Sequence, residues 1–261
     1  MGKVWSINNN FGENKRIKEN YIFILSFILP MVIMFVVFTS LGVGFIGDKT
    51  IVSSDMYTQY VAYFGKFKDI LSGDGSIFYS FNKSIGGNNI GLFAYYLASP
   101  LNLLLILFPK SAIGEFIFII YLIKIGLASL CFSLYISKVY KKKDLFVVIF
   151  SLCYALMSYN ICFQMNIMWM DGMMLLPLVA LGIEEIILKG KYKLYMIVLF
   201  MVVVSNYYIG YMICIFSVVY FFYKSIIYKK ISLPRTFKFF GASFITGGLA
   251  SFLLIPVLIS L

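Results

Sequence analysis

No histidine occurs among the 261 residues. That absence excludes, within this chain, Ser-His-Asp triads, Cys-His pairs, HExxH zinc sites and imidazole proton relays. Cysteine is scarce too: Cys131, Cys153, Cys162 and Cys214 sit in apolar surroundings without a CxxC spacing. They read as small packing residues rather than as disulfide partners or metal ligands. Charge is the third shortage, at 13% of residues against about 25% in soluble domains. Apolar residues make up 61% of the chain, with a mean hydropathy of +0.92. Several of their uncharged runs approach or exceed the roughly 20 residues that a bilayer-spanning helix needs. This is the composition of an integral membrane protein.

The charges that are present are mostly basic, giving a net charge of +11. They stand in short clusters between apolar runs, which is the positive-inside pattern and not a nucleic-acid footprint. Residues 1–20 are polar and carry Lys3, Lys15, Arg16 and Lys18. The run 21–46 that follows is too long for a signal-peptide core of about 7–15 residues. It reads as an uncleaved first span with a cytoplasmic N-terminus, bent by Pro30. Further spans are expected at 113–137, 145–161, 173–188 and 239–261, with a short hairpin at 194–223. Each arm of that hairpin is under the length of a normal span, so SNYYIGY at 205–211 either fails to cross or lies inside the membrane within the protein. Parity makes 91–108 an interfacial or re-entrant segment of a long outer loop, 47–112. With this topology 16 of the 22 Lys and Arg are cytoplasmic. The absence of a polar tail after Ile255 leads us to expect a truncated N-terminal module over 1–261, and no fixed-period repeat is present.

Five features could carry chemistry. IVSSDMYTQYVAYF, at 51–64, reads as a helix capped by Ser53 or Ser54, with Asp55 in the first turn. Met56, Tyr60, Tyr63, Phe64, Phe67, Ile70 and Leu71 form an apolar stripe, expected to lie in the headgroup region. Gln59 and Tyr60 neighbour Asp55, which is either a helix-start residue or a general base. Asp171 is the one charge between Asp144 and Glu184; it either starts a helix, orients a donor phosphate through a cation, or shares the reaction with Asp55. Lys124 sits in mid-span, where an unpaired ammonium is costly, so a lipid phosphate or an outer Asp is its expected partner. SIGGNNIG, from Ser84 to Gly91, reads as a turn or a backbone nest for an anion. Tyr95, Tyr96 and Asn102 around Ser99-Pro100, with Asn206, Tyr207 and Tyr208, line a lipid or sugar groove or anchor the interface.

SDMYTQY, FYSFNKSIGGNN, YYLASPLNLLLILFP, NIMWMDGMMLLPLVALGIEEII and SNYYIGYM occur in that order. The series, over about residues 20–230, resembles the N-terminal part of the bacterial YfhO family. The resemblance implies an all-α polytopic membrane protein, a C-type glycosyltransferase-like helical bundle with surface helices in the first outer loop. Such enzymes move a sugar from a polyprenyl-phosphate carrier to a cell-surface polymer outside the membrane, in this family a teichoic acid. The essential carboxylate of the first outer loop corresponds by position to Asp55, and an acidic residue of the second to Asp171. A divalent cation is an optional cofactor, since some C-type enzymes use one and others do not. Family members are several times longer, so this segment alone is expected to be inactive. The competing readings are a transporter or flippase of a lipid-linked envelope substrate, for which only Lys124 speaks, and a structural membrane subunit.

Overall fold

The computed structural model describes the backbone of residues 3–81 and 85–260, and it is helical almost throughout. Helix α1 (Lys3–Ser40) carries the first apolar run. A wide turn, Met56–Tyr60, leads into α2 (Val61–Leu71). A two-residue antiparallel ribbon follows, β1 (Tyr79–Ser80) with β2 (Gly87–Asn88), in the register Tyr79 to Asn88. Ser84, the first residue of the expected nest, lies outside the described residues. Next come α3 (Ile90–Leu92), continued by the wide turn Phe93–Leu97, and the tight helix Pro100–Leu107. The rest is α4 (Ile113–Tyr140), α5 (Leu145–Ala155), α6 (Ser158–Cys162), α7 (Met170–Lys189), α8 (Lys193–Ser205), α9 (Tyr207–Ile227), α10 (Leu233–Leu249) and α11 (Ser251–Ser260).

Among the described residues three helical segments are long and apolar enough to cross a membrane: Asn20–Ser40, Lys110–Tyr140 and Tyr207–Ile227. Two bent pairs raise this to five if each is one span: Ile90–Leu97 with Pro100–Leu107, at 86°, and Leu233–Leu249 with Ser251–Ser260, at 66°. The first bend falls at Ser99-Pro100, where proline at the next helix's N1 removes a donor and fixes the turn.

Helices α4 and α7 form the centre. Helix α4 packs on α1, α5 and α7, and α7 packs on α8 and α9. Close approach is bought with glycine. A Cβ at Gly126 of α4 would lie 2.8 Å from the Phe27 carbonyl of α1. One at Gly172 of α7 would lie 2.2 Å from Ile209 Cγ2 of α9. Small residues at such crossings are how membrane helices gain packing where lipid supplies no hydrophobic drive. The turns around residues 41–55, 156–169 and Asn206 gather at one end of the bundle, called here the loop end. The lysine-bearing connections 141–144, 190–192 and 228–232 gather at the other, the basic end.

Four details differ from the sequence reading. The stripe on α2 has the expected phase, with Met56, Tyr60, Phe64 and Phe67 all buried. It faces protein and not headgroups: Phe64 meets Phe116 of α4 edge-on at 5.2 Å, and Phe67 meets Phe93 at 6.0 Å. Helix α5 stops at Ala155 instead of continuing to 161; at about 1.5 Å per residue its 11 residues reach only about 17 Å. The 194–223 hairpin does not have two short arms, because Asn206 alone breaks the helix and α9, starting at Tyr207, is 21 residues long, the length of a span. The last apolar run is two helices bent against each other.

Candidate functional site

At the core of the loop end is a buried ion pair. Lys124 Nζ donates to Asp171 Oδ2 at 2.6 Å and to the Ile167 carbonyl at 2.8 Å. Ser99 Oγ donates to the other carboxylate oxygen, Oδ1, at 2.8 Å. Both charged side chains are 1% exposed. The local sequence explains the placement: Asp171 sits in the first turn of α7, where the helix dipole favours a carboxylate, and Lys124 reaches it from mid-α4. Four separate parts of the chain thereby meet: α4, the 163–169 turn, α7 and the Ser99 bend.

The bend itself is held by amides. Asn102 Nδ2 donates to the carbonyls of Leu97 (3.1 Å) and Tyr96 (3.4 Å). Asn206 donates from Nδ2 to the Tyr95 carbonyl at 2.8 Å, while its Oδ1 accepts from the Ile209 N–H as the N-cap of α9. Both amides are thus committed to backbone. Lys68 of α2 adds bonds to the carbonyls of Ile106 (2.7 Å) and Leu105 (3.3 Å), and Asp69 pairs with Lys110. Sharply bent backbone near a membrane survives only when its freed polar groups are satisfied in this way.

Above the ion pair lies a tyrosine cluster. Tyr96 contacts Tyr60, Tyr63 and Tyr95 at 5.2, 4.8 and 4.7 Å between centroids. Tyr95 also meets Tyr207 at 5.9 Å and Tyr208 at 6.1 Å. Polar edges link the rings: Tyr60 donates to Asn166 Oδ1 (3.0 Å), Tyr96 to Gln59 Oε1 (3.2 Å), and Trp169 Nε1 to the Tyr95 hydroxyl (3.1 Å). The crevice between Tyr60, Tyr63, Tyr96 and Ile167 leaves no space for a water-sized molecule. The cluster is a closed floor.

Asp55 is at the edge of that floor. It is exposed, and it is close enough to Tyr60 and Tyr96 for its charge to act on both phenols. Burial, then Tyr96, then Asp55 push the Tyr60 phenol above its ordinary range. No side-chain bond of Asp55 caps the helix it precedes. The structure therefore gathers Gln59, Tyr60, Tyr95, Tyr96 and Tyr207 into one cluster with Asp55 at its exposed edge, while Lys124 and Asp171 are sealed in their ion pair. Ser99 and Asn166 were missed as partners by sequence reasoning; Ser99 beside Pro100 carried a turn signal, but its carboxylate partner is 72 residues away. A second concavity of about 260 Å³, lined by Asp48, Lys49, Thr50 and Glu115 among others, contains none of these residues.

Among the described residues no three Cys, Asp or Glu side chains gather as a metal-binding group. The Asp171 carboxylate is already taken by an ammonium and a hydroxyl, which is not the open oxygen set a divalent cation requires.

A helical bundle with several membrane-length apolar helices and a polar network buried at mid-helix defines a polytopic α-helical membrane protein. Comparison with known families is specific: the family described as bacterial membrane protein YfhO matches residues 26–261. The chain belongs to the YfhO family. No curated protein and no solved structure gives a significant match.

Proposed function

We propose that the chain carries the transfer site of a membrane glycosyltransferase of the C-type class, moving a sugar from a polyprenyl-phosphate carrier to a cell-surface polymer such as a teichoic acid. Membership of the YfhO family supports a glycosyltransferase-like activity in general; the donor and acceptor are our reading. The observation that carries it is the split between the two candidate carboxylates. Asp55 is exposed beside an aromatic floor, while Asp171 is sealed in an ion pair.

The lysine distribution orients the bundle with its basic end in the cytoplasm and its loop end outside. A polyprenyl chain then stays in the bilayer while its sugar rests on the exposed rim of the tyrosine cluster, whose faces suit a pyranose. Asp55 takes the proton of an acceptor hydroxyl. The hydroxyl oxygen bonds to the anomeric carbon as the bond from that carbon to phosphate oxygen breaks, and polyprenyl phosphate leaves with the electron pair. Asp171 and Lys124 position the floor and do not touch substrate. No step is assigned to a cation.

The test is sugar transfer by the whole family protein with a radiolabelled polyprenyl-phosphate sugar. Asp55→Asn is expected to lower the rate by about 10²–10⁴, the contribution of a general base, with membrane abundance unchanged. Full activity in that variant would overturn the assignment. A flippase would instead translocate the unmodified carrier lipid, which the same preparation reports.

A further inference from the structure

At the basic end, between α4 and α5, lies a groove that takes no part in the site above. Its volume of about 700 Å³ falls within the roughly 300–1,000 Å³ of small-molecule sites. Phe132, Ile136, Phe146 and Phe150 form its walls, and Lys142 and Asp144 stand at one end. Phe146 and Phe150 are 64% and 56% exposed, so the groove is open sideways, where a membrane protein meets acyl chains.

The charged end decides what occupies it. The connection from Lys138 to Asp144 holds four lysines and one carboxylate, and lysine clusters beside a span attract anionic lipid headgroups. Asp144 Oδ1 is buried and has no hydrogen-bond partner among the described residues. Asp144 nevertheless lines the groove, so a headgroup with hydroxyl donors meets a carboxylate acceptor beside the lysine. Phosphate beside Lys142, hydroxyls toward Asp144 and one acyl chain along the phenylalanines describe a single ligand chemistry. We propose that the groove is a binding site for an anionic glycerophospholipid with a hydroxylated headgroup, drawn from the leaflet at the basic end.

The experiment reconstitutes the full chain in vesicles containing equal parts phosphatidylglycerol, phosphatidylcholine and phosphatidylethanolamine, then identifies retained lipid by native mass spectrometry. Wild type is expected to retain phosphatidylglycerol in preference to the other two. Lys142→Gln should lower that retention about fivefold, the equivalent of about 1 kcal/mol per lysine at an anionic surface. Ile136→Trp, which fills the groove from a half-buried position, should abolish it. Equal retention of the three lipids by wild type, a measurement that needs no variant, would overturn the proposal. Undiminished phosphatidylglycerol in both folded variants would also overturn it, by placing the lipid elsewhere.

Discussion

Lys124 Nζ lies 2.6 Å from Asp171 Oδ2, and neither side chain is more than 1% exposed. The two charges come from the middle of one helix and the first turn of another. Removing one partner strands the other in a dry interior, whereas removing both removes the desolvation cost as well. Lys124→Met and Asp171→Leu should therefore each destabilise the protein by about 3–5 kcal/mol. The double variant should recover part of that loss, because the Ile167 carbonyl is left without a donor and the Ser99 hydroxyl without its acceptor, at about 1–3 kcal/mol each. Equilibrium unfolding in detergent decides the matter, and additive losses would show that the pair is not coupled.

The glycine next to that carboxylate gives a steric prediction. A Cβ at residue 172 meets Ile209 Cγ2 at 2.2 Å, a distance that forces α7 from α9 or the isoleucine from its rotamer. Gly172→Ala should cost about 1–3 kcal/mol as overpacking. Ile209→Ala in the same chain should return part of it, because the clash is with a side chain and not with backbone. Thermal unfolding of the single and paired variants checks both statements.

Parts of this site were legible from residue order alone. A lysine at mid-run and a lone aspartate at an apolar helix start are each costly when isolated, so both stood out. An outer Asp was one of the two partners expected for Lys124; that it is Asp171 was not legible, because 47 residues separate them and periodicity carries no information about contacts at that range. Likewise the spacing of Met56, Tyr60, Phe64 and Phe67 shows that these residues share a face. It does not show what covers the face, and here α4 does so rather than lipid. The sharp bend at Ser99-Pro100 was signalled by proline, but its stabilising amides, Asn102 and Asn206, bond to carbonyls that are free only once the turn exists.

Tyr60 links the floor to pH. Its phenol is held above the ordinary value of 10.0 by burial, then by Tyr96 and Asp55. A raised folded-state pKa contributes stability that is fully present below about pH 10 and is lost as pH rises beyond it, since the unfolded chain releases the proton first. Alkaline destabilisation should therefore be shallower in Tyr60→Phe than in wild type. At neutral pH the same variant should lose about 0.5–1.5 kcal/mol with the hydrogen bond to Asn166. Unfolding curves at neutral pH and above pH 10 separate the two effects, and parallel pH profiles would refute the coupling.

A second buried carboxylate secures the opposite end of the bundle. Glu184 of α7 is 2% exposed. Its Oε2 accepts from the Tyr228 hydroxyl at 2.7 Å, and its Oε1 meets Lys224 Nζ at 2.9 Å and the Tyr220 hydroxyl at 3.0 Å. The Tyr135 hydroxyl of α4 completes the network at 2.9 Å from that of Tyr220. The ammonium also lies 5.6 and 5.5 Å from the ring centroids of Tyr220 and Tyr228, so it is compensated from three sides. Hydrogen bonds to a charged group contribute about 1.5–3 kcal/mol each. Tyr228→Phe should lie in that range in wild type and fall toward zero in a Glu184→Ala background, where the acceptor is gone. Lys224→Met should be worse than Tyr228→Phe, since it leaves a buried carboxylate with phenols alone. A double-mutant cycle between residues 184 and 228 measures the coupling directly; a Tyr228→Phe cost that persists without Glu184 would mean that the ring's packing, and not its hydroxyl, holds α9 to α7.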